Sequence, residues 1–283
     1  MNSLKNSLFL VLLLGSLPLC AQEADLLSGG SWSRETVTKG MELRQAAFEG
    51  NLFDSNQYLS VLVIAPGARF DIVPAADETL EKTTALAAET GAVAAVNGSF
   101  FNMRPPYGSV NYLRVDGNAV APNKRSEGTV QRGTTQEGAV ATFHGGLFML
   151  KGDNLRVWED YIAAEDVVTT GPVLLSGGEP AVLAGVNFNT DRHPRTAAGR
   201  RADGTVILLV ADGRSEQAAG LTMAELQQVM TALGCRDAIN LDGGGSSAMV
   251  VRGKVVNHPS DNKRFDAGGE RVVANAICVS YPE

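Results

Sequence analysis

Histidine and cysteine are scarce in this 283-residue chain, with three of each. His144, His193 and His258 lie far apart in sequence, which argues against a histidine-held zinc site, and His193 reads as structural. Cys20 falls in the N-terminal apolar segment, so Cys235 and Cys278 are the thiols of the body of the chain. Neither shows metal-ligand spacing; in an oxidising compartment they could pair, or they could stay as two buried thiols. Basic residues are also in deficit, 24 against 31 acidic, for a net charge of −7. That balance argues against nucleic acid or an anionic membrane as partner. Low-complexity linkers, internal repeats and charge runs are missing, so one large domain is expected over residues 22–283.

Long apolar runs are missing too, apart from Leu8 to Leu14, which is too short for a membrane span. Lys5 before it and Leu19-Cys20-Ala21 after it make residues 1–21 a signal peptide cleaved near Ala21. Leu19 is too large for the usual lipid-attachment pattern before Cys20. The expectation is an exported protein, periplasmic or secreted. Cleavage removes one lysine and no acid, which takes the net charge to −8.

Short β-rich segments fill the rest. A weakly signalled strand covers Arg34–Val37, and Tyr58 to Ile64 is a strand ended by Pro66-Gly67, with Ala68 to Val73 as its returning hairpin partner. Thr79 to Thr90 reads as a helix stopped by Gly91, and Ala92 to Val96 as a buried strand. Five short strands follow between Tyr107 and Leu183. Arg195 to Arg201 and Thr205 to Ala211 flank the turn Ala202-Asp203-Gly204, a hairpin signal. Thr222-Met223-Ala224-Glu225 is a capping box opening a helix with Leu226, Val229, Met230 and Leu233 on one face. The fold class expected is α+β, with a mixed, mainly antiparallel sheet core and a few packed helices.

The densest chemistry is Asn240-Leu241-Asp242-Gly243-Gly244-Gly245-Ser246-Ser247, where an apolar strand ends in a carboxylate, three glycines and two hydroxyls. Glycines let another molecule approach the main chain, and free N–H groups beside serines can hold an anionic oxygen. The same residues also suit a glycine-rich turn with a capping aspartate. Three more polar clusters stand at strand ends: Asn97-Gly98-Ser99, Arg195-Thr196, and Asp212-Gly213-Arg214-Ser215-Glu216. Together they suit the rim of one site. Arg195 could hold phosphate bidentately, or form a surface ion pair. Asp212 and Asp242 are candidate acid, base or nucleophile for cleavage of a glycosidic bond, or loop caps. A serine-hydrolase elbow at Ser246 is rejected, because a strand rather than a helix follows and only His258 lies downstream. No Gly-Lys-Ser/Thr follows the glycines, so there is no Walker loop.

Those blocks, with Asn97-Gly98-Ser99-Phe100-Phe101, Arg195-Thr196-Ala197, Ala211-Asp212-Gly213, Glu216-Gln217 and Pro259-Ser260-Asp261, resemble the phosphodiester glycosidase family. They keep the family's order from about residue 92 to 279; Asn118 to Leu183 matches poorly. The compact size and leader are those of a bacterial exported member. The resemblance implies cleavage between an anomeric carbon and a phosphate oxygen, releasing a free sugar such as N-acetylglucosamine and a phosphomonoester. It implies Asp242 and Asp212 as catalytic carboxylates, Arg195 and the Gly243–Ser247 cradle as the holders of phosphate, and Asn97 and Glu216 as residues that orient sugar hydroxyls. Gly98, Thr196, Gly213 and Asn240 would be further substrate-binding residues. The expected partner is a small-molecule or glycan sugar-phosphodiester. No cofactor is required, although a divalent cation such as calcium or magnesium is left open. Two other readings remain: a metal-dependent phosphodiesterase cleaving P–O, and a non-catalytic glycan- or phosphate-binding module.

Overall fold

In the computed structural model the description covers residues 21–76, 79–122, 134–152 and 158–281. The expected signal peptide, including Cys20, lies outside them apart from Ala21, where a helix begins (Ala21–Gly29).

Three antiparallel sheets carry the fold. The largest has eight strands, in the spatial order Ser33–Thr38, Met41–Leu52, Ser55–Ile64, Val206–Ala211, Arg195–Arg200, Asp237–Asn240, Val173–Ser176 and Glu179–Pro180. A second of five strands is built from the middle of the chain, Leu113–Val115 to Val167–Thr170. The third, also of five, places Ala94–Asn97 between Met249–Val251 and Asn275–Ser280.

Alternate residues of the central strands serve two different cores, which explains why these strands are apolar throughout rather than alternating with polar residues. Leu62, Leu208, Val210 and Ile239 face a core shared with Val140, Val168, Val96 and Ile277 of the other two sheets. Val61, Ile207 and Leu209 point the other way, onto the helix Met223–Ala232 through Leu226, Val229 and Met230. That helix has the expected capping box: Thr222 Oγ1 accepts from Glu225 N, and a Glu225 carboxylate oxygen accepts from Thr222 N. A shorter helix, Thr83–Glu89, covers the third sheet with Leu86 and Ala87.

The Arg195–Arg200 and Val206–Ala211 hairpin forms in the expected register, with Arg195 opposite Ala211. The hairpin expected across Pro66-Gly67 does not. Both edges of Ser55–Ile64 are already taken, by Met41–Leu52 and Val206–Ala211. The chain therefore turns at Gly67 (φ +105°) and enters another sheet, where Arg69–Pro74 pairs with Asn275–Ser280. The helix expected from Thr79 starts later, because Glu81–Lys82 pairs as strand with Val272–Val273. Cys235 and Cys278 are free and buried in separate clusters, and burial pushes both thiols up to about 12.

Candidate active site at the Asp242 loop

The strand ends nominated by sequence meet at one edge of the large sheet. Ala197 pairs with Asn240, and Arg195 with Ala211, so Asp242, Arg195 and Asp212 follow or begin neighbouring strands on the same side. Main-chain bonds draw the loops together: Leu241 N donates to Thr196 O (2.8 Å), Asp242 N to Gly98 O (2.9 Å) and Gly244 N to Pro194 O (2.8 Å). A Cβ on Gly213 would lie 2.8 Å from Pro194 N, and one on Gly243 would lie 2.7 Å from Pro194 O. These two glycines permit close loop packing. Gly98 is likewise pressed against the Asn275 amide.

Asn97 is the knot between two sheets. Its Nδ2 donates to Asp242 O (2.7 Å), while its Oδ1 accepts from Thr196 Oγ1 (2.8 Å) and Ala248 N (3.1 Å). Asn97 and Thr196 are fully buried, so both hold the loop in place. Asn240 is buried as well; its Nδ2 donates to Gly171 O (2.8 Å) and its Oδ1 has no partner.

Asp242 is partly buried, with Oδ1 accepting from Gly243 N at 2.8 Å. Burial pushes its carboxyl up to about 6, against weaker pulls downward from the Ser246 hydroxyl, the Gly243 N–H and the Arg271 charge. The Ser246 hydroxyl is close enough to exert that pull without a well-formed hydrogen bond. Ser246 and Ser247 are 1 % exposed, and neither hydroxyl has a partner; Ser99 and Ser260, also buried, share that state. Buried hydroxyls without partners are costly, and their gathering around one loop marks a place where a polar ligand or water completes the bonding.

Asp212 is buried and encircled by donors. Its oxygens accept from Asn257 Nδ2 (2.8 Å), His258 N (3.1 Å) and His258 Nδ1 (2.7 Å). The imidazole is fixed further by stacking on Phe265 (3.8 Å between ring centres, 15° between planes) and by the edge of Tyr58 (4.8 Å). With Nδ1–H donating to Asp212, Nε2 is the ring nitrogen outside that bond. Asn257 Nδ2 also donates to Ser247 O (3.2 Å), which joins this pair to the Asp242 loop.

Arg195 does not lie open to an anion. It is 1 % exposed, its Nε donates to Leu221 O and its Nη2 to Phe188 O and Asp191 O, each at 2.8 Å. Burial first, and then Arg214, lower its pKa to about 10. The sequence signal for an arginine among small residues was real, but a guanidinium serves three carbonyls as well as it serves a phosphate.

Glu216 is exposed, and its carbonyl accepts from Asn56 Nδ2 (2.7 Å). It lines an open depression of about 700 Å³ with Arg214, Ser215, Gln217, Lys263 and Phe265. Three charged groups flank the glycines: Arg214 and Asp261, which the sequence placed in its clusters without a role, and Arg271, which it did not single out. Arg214 (φ +62°) lies against Gly244, and Arg271, ion-paired to Asp261, lies against Gly245. Asp261 belongs to the Pro259-Ser260-Asp261 block, and Arg214 to the Asp212–Glu216 cluster. Burial, Arg195 and Arg214 all lower the pKa of His193. Among the described residues no group of three or more His, Cys, Asp and Glu is placed to hold a metal ion.

The chain is similar to known proteins in sequence and in fold. The chain is 27 % identical over 239 residues to the mouse N-acetylglucosamine-1-phosphodiester alpha-N-acetylglucosaminidase, a match covering 78 % of this chain and 43 % of that protein. A 92-residue stretch is 41 % identical to the SPbeta prophage-derived protein YomE of Bacillus subtilis, over 32 % of this chain and 13 % of YomE. The chain thus spans less than half the length of these relatives. Its fold is similar to that of the zebrafish N-acetylglucosamine-1-phosphodiester alpha-N-acetylglucosaminidase catalytic domain auto-inhibited by its pro-peptide. That likeness has a TM-score of 0.64 and 17 % identity, over 89 % of this chain and 86 % of that one. The sequence profile of the phosphodiester glycosidases matches residues 90–280, most of the chain and every candidate residue from Asn97 to Arg271, and the protein belongs to the phosphodiester glycosidase family.

Proposed function

We propose that this protein is an exported hydrolase that breaks the bond between the anomeric carbon of a sugar and a phosphate oxygen. Water supplies the hydroxyl to C1, and the phosphate leaves as a monoester with the remaining proton. N-acetylglucosamine is the sugar proposed, since the mouse relative is named for that substrate. The observation that carries the reading is Asp242. Its carboxyl is pushed up to about 6 at the mouth of a glycine loop lined by unpartnered hydroxyls. Such a group holds a proton through part of the neutral range and can pass it to the bridging oxygen as C1–O breaks. A phosphomonoester is already a fair leaving group, so holding its charge contributes at least as much as protonation.

Asp212 acts through His258 in this proposal. A carboxylate buried among several donors is suited to orient an imidazole and to support its charge, while His258 Nε2 serves as the second proton carrier. Asn97 and Thr196 are positioning residues that hold the loop, Arg195 braces the carbonyls of Leu221, Phe188 and Asp191 beside it, and Glu216 borders the open depression where sugar hydroxyls can bind.

Hydrolysis of UDP-N-acetylglucosamine and a panel of sugar-phosphodiesters in ¹⁸O water tests the proposal. Label in the sugar product is expected. Label in the phosphate would mean P–O cleavage by a phosphodiesterase, and no turnover of any substrate would mean a binding module; either overturns it.

A further inference from the structure

We infer that Arg214 and Arg271, rather than Arg195, form the anion clamp of this site and hold the phosphate of a sugar-phosphodiester between them and the glycine loop. The inference rests on the phosphodiester reading above and assigns its charge-binding residues.

The two guanidinium groups occupy the space that side chains at two successive loop positions would fill. A Cβ on Gly244 would lie 3.3 Å from Arg214 Cζ, and one on Gly245 would lie 2.6 Å from Arg271 Cζ. Successive Cα atoms are about 3.8 Å apart, so two cations are held against one short stretch of backbone, directly after Asp242. Asp261 Oδ1 lies 2.6 Å from the same Gly245 Cβ position and pairs with Arg271, so the charge left over at this stretch of backbone is that of Arg214. The charge of Arg214 registers on its neighbours, lowering the pKa of both Arg195 and His193.

The two arginines differ in what remains free. Arg271 spends Nε (3.1 Å) and Nη2 on Asp261 Oδ1, while its Nη1 meets nothing better than the Met103 sulfur at 3.7 Å. Asp261 thereby fixes the plane of the guanidinium and neutralises it, leaving N–H direction rather than net charge. Arg214 supplies the charge. Among the described residues no carboxylate pairs with it; its one polar contact is a 3.5 Å approach of Nη2 to His193 Nδ1. Its left-handed backbone (φ +62°) is a conformation that non-glycine residues seldom adopt. The unpartnered hydroxyls of Ser246 and Ser247, on the same loop, add donors suited to phosphate oxygens.

Binding of inorganic phosphate, measured by calorimetry on the folded protein, tests the clamp. Wild type should bind, and Arg214→Gln and Arg271→Gln should each weaken binding about tenfold, with Arg271→Lys recovering only part because it lacks the fork. Gly245→Ala keeps every charge but displaces Arg271, so it should weaken binding comparably even if Arg271→Gln folds poorly. Arg252→Gln, which removes a surface arginine paired with Glu35, controls for net charge and should change nothing. Phosphate binding that is absent in wild type, or unchanged within twofold in Arg214→Gln and Gly245→Ala, overturns the clamp. Should wild type cleave C1–O while these variants bind phosphate normally, the clamp fails and the glycosidase reading stands. Loss of phosphate binding in the variants, with no C1–O cleavage by wild type, leaves the clamp and removes the glycosidase reading.

Discussion

At the scale of single residues, environment separates groups that look equivalent in the sequence. Asp242 and Asp212 both end strands before a glycine. One is pushed up to about 6 by burial, and the other is encircled by Asn257 and His258. Asp242→Asn should lower turnover about 10²–10⁴-fold, the range for a lost proton donor. The folded-state pKa of Asp242 lies above its ordinary 3.8, so the folded protein binds this proton more tightly. Its contribution to stability is therefore full below pH 3.8 and lost as pH rises through about 6. Melting curves across pH should show wild type losing stability over that window relative to Asp242→Asn, and activity that uses the protonated form should fall through the same window. Arg195 behaves differently. Arg195→Lys gives up a fork serving three carbonyls in a buried site and should cost roughly 2–4 kcal/mol, a melting shift of about 5–10 °C. A melting temperature that stays put would show that the guanidinium is not structural.

At the scale of elements, the legible parts were those whose signals are local. The capping box at Thr222 needs only four residues and forms as read. Thr222→Ala should cost about 1 kcal/mol, seen as a melting temperature lower by roughly 2–4 °C. The Arg195–Arg200 and Val206–Ala211 hairpin is set by its own turn and also forms. The Ala68 to Val73 partner was misplaced because pairing depends on which edges are free, and strands far away in sequence already hold both edges of Ser55–Ile64. Met41–Leu52, twelve residues long, carried little signal because its burial alternates irregularly.

At the scale of the whole molecule, three sheets around one core bring loops more than a hundred residues apart to one edge. Asn97 reaches Asp242 across 145 positions, and Arg271 reaches the glycine loop from the far side of the Pro259-Ser260-Asp261 block. The same packing isolates Cys235 and Cys278 in different clusters with thiols pushed up to about 12. A thiol reagent should therefore leave both unmodified in the folded protein and react with both after denaturation; rapid labelling of folded protein would contradict this placement.

Sequence by itself determined what short-range chemistry can encode. Strands announced themselves by apolar runs, the helix by its cap, and the family by ordered blocks around Asn97, Arg195, Asp212 and Asp242. It also named the Asp242 loop as the candidate site, because an apolar strand there ends in a carboxylate, three glycines and two hydroxyls. Tertiary structure alone decided which of the charged groups around that loop faces inward. Arg195 is drawn under the loop by the carbonyls of Phe188, Asp191 and Leu221, while Arg214 and Arg271 lie on its glycines. The physical reason is that a side chain's partner is set by distance in space, and residue type fixes only the kinds of bond it can make.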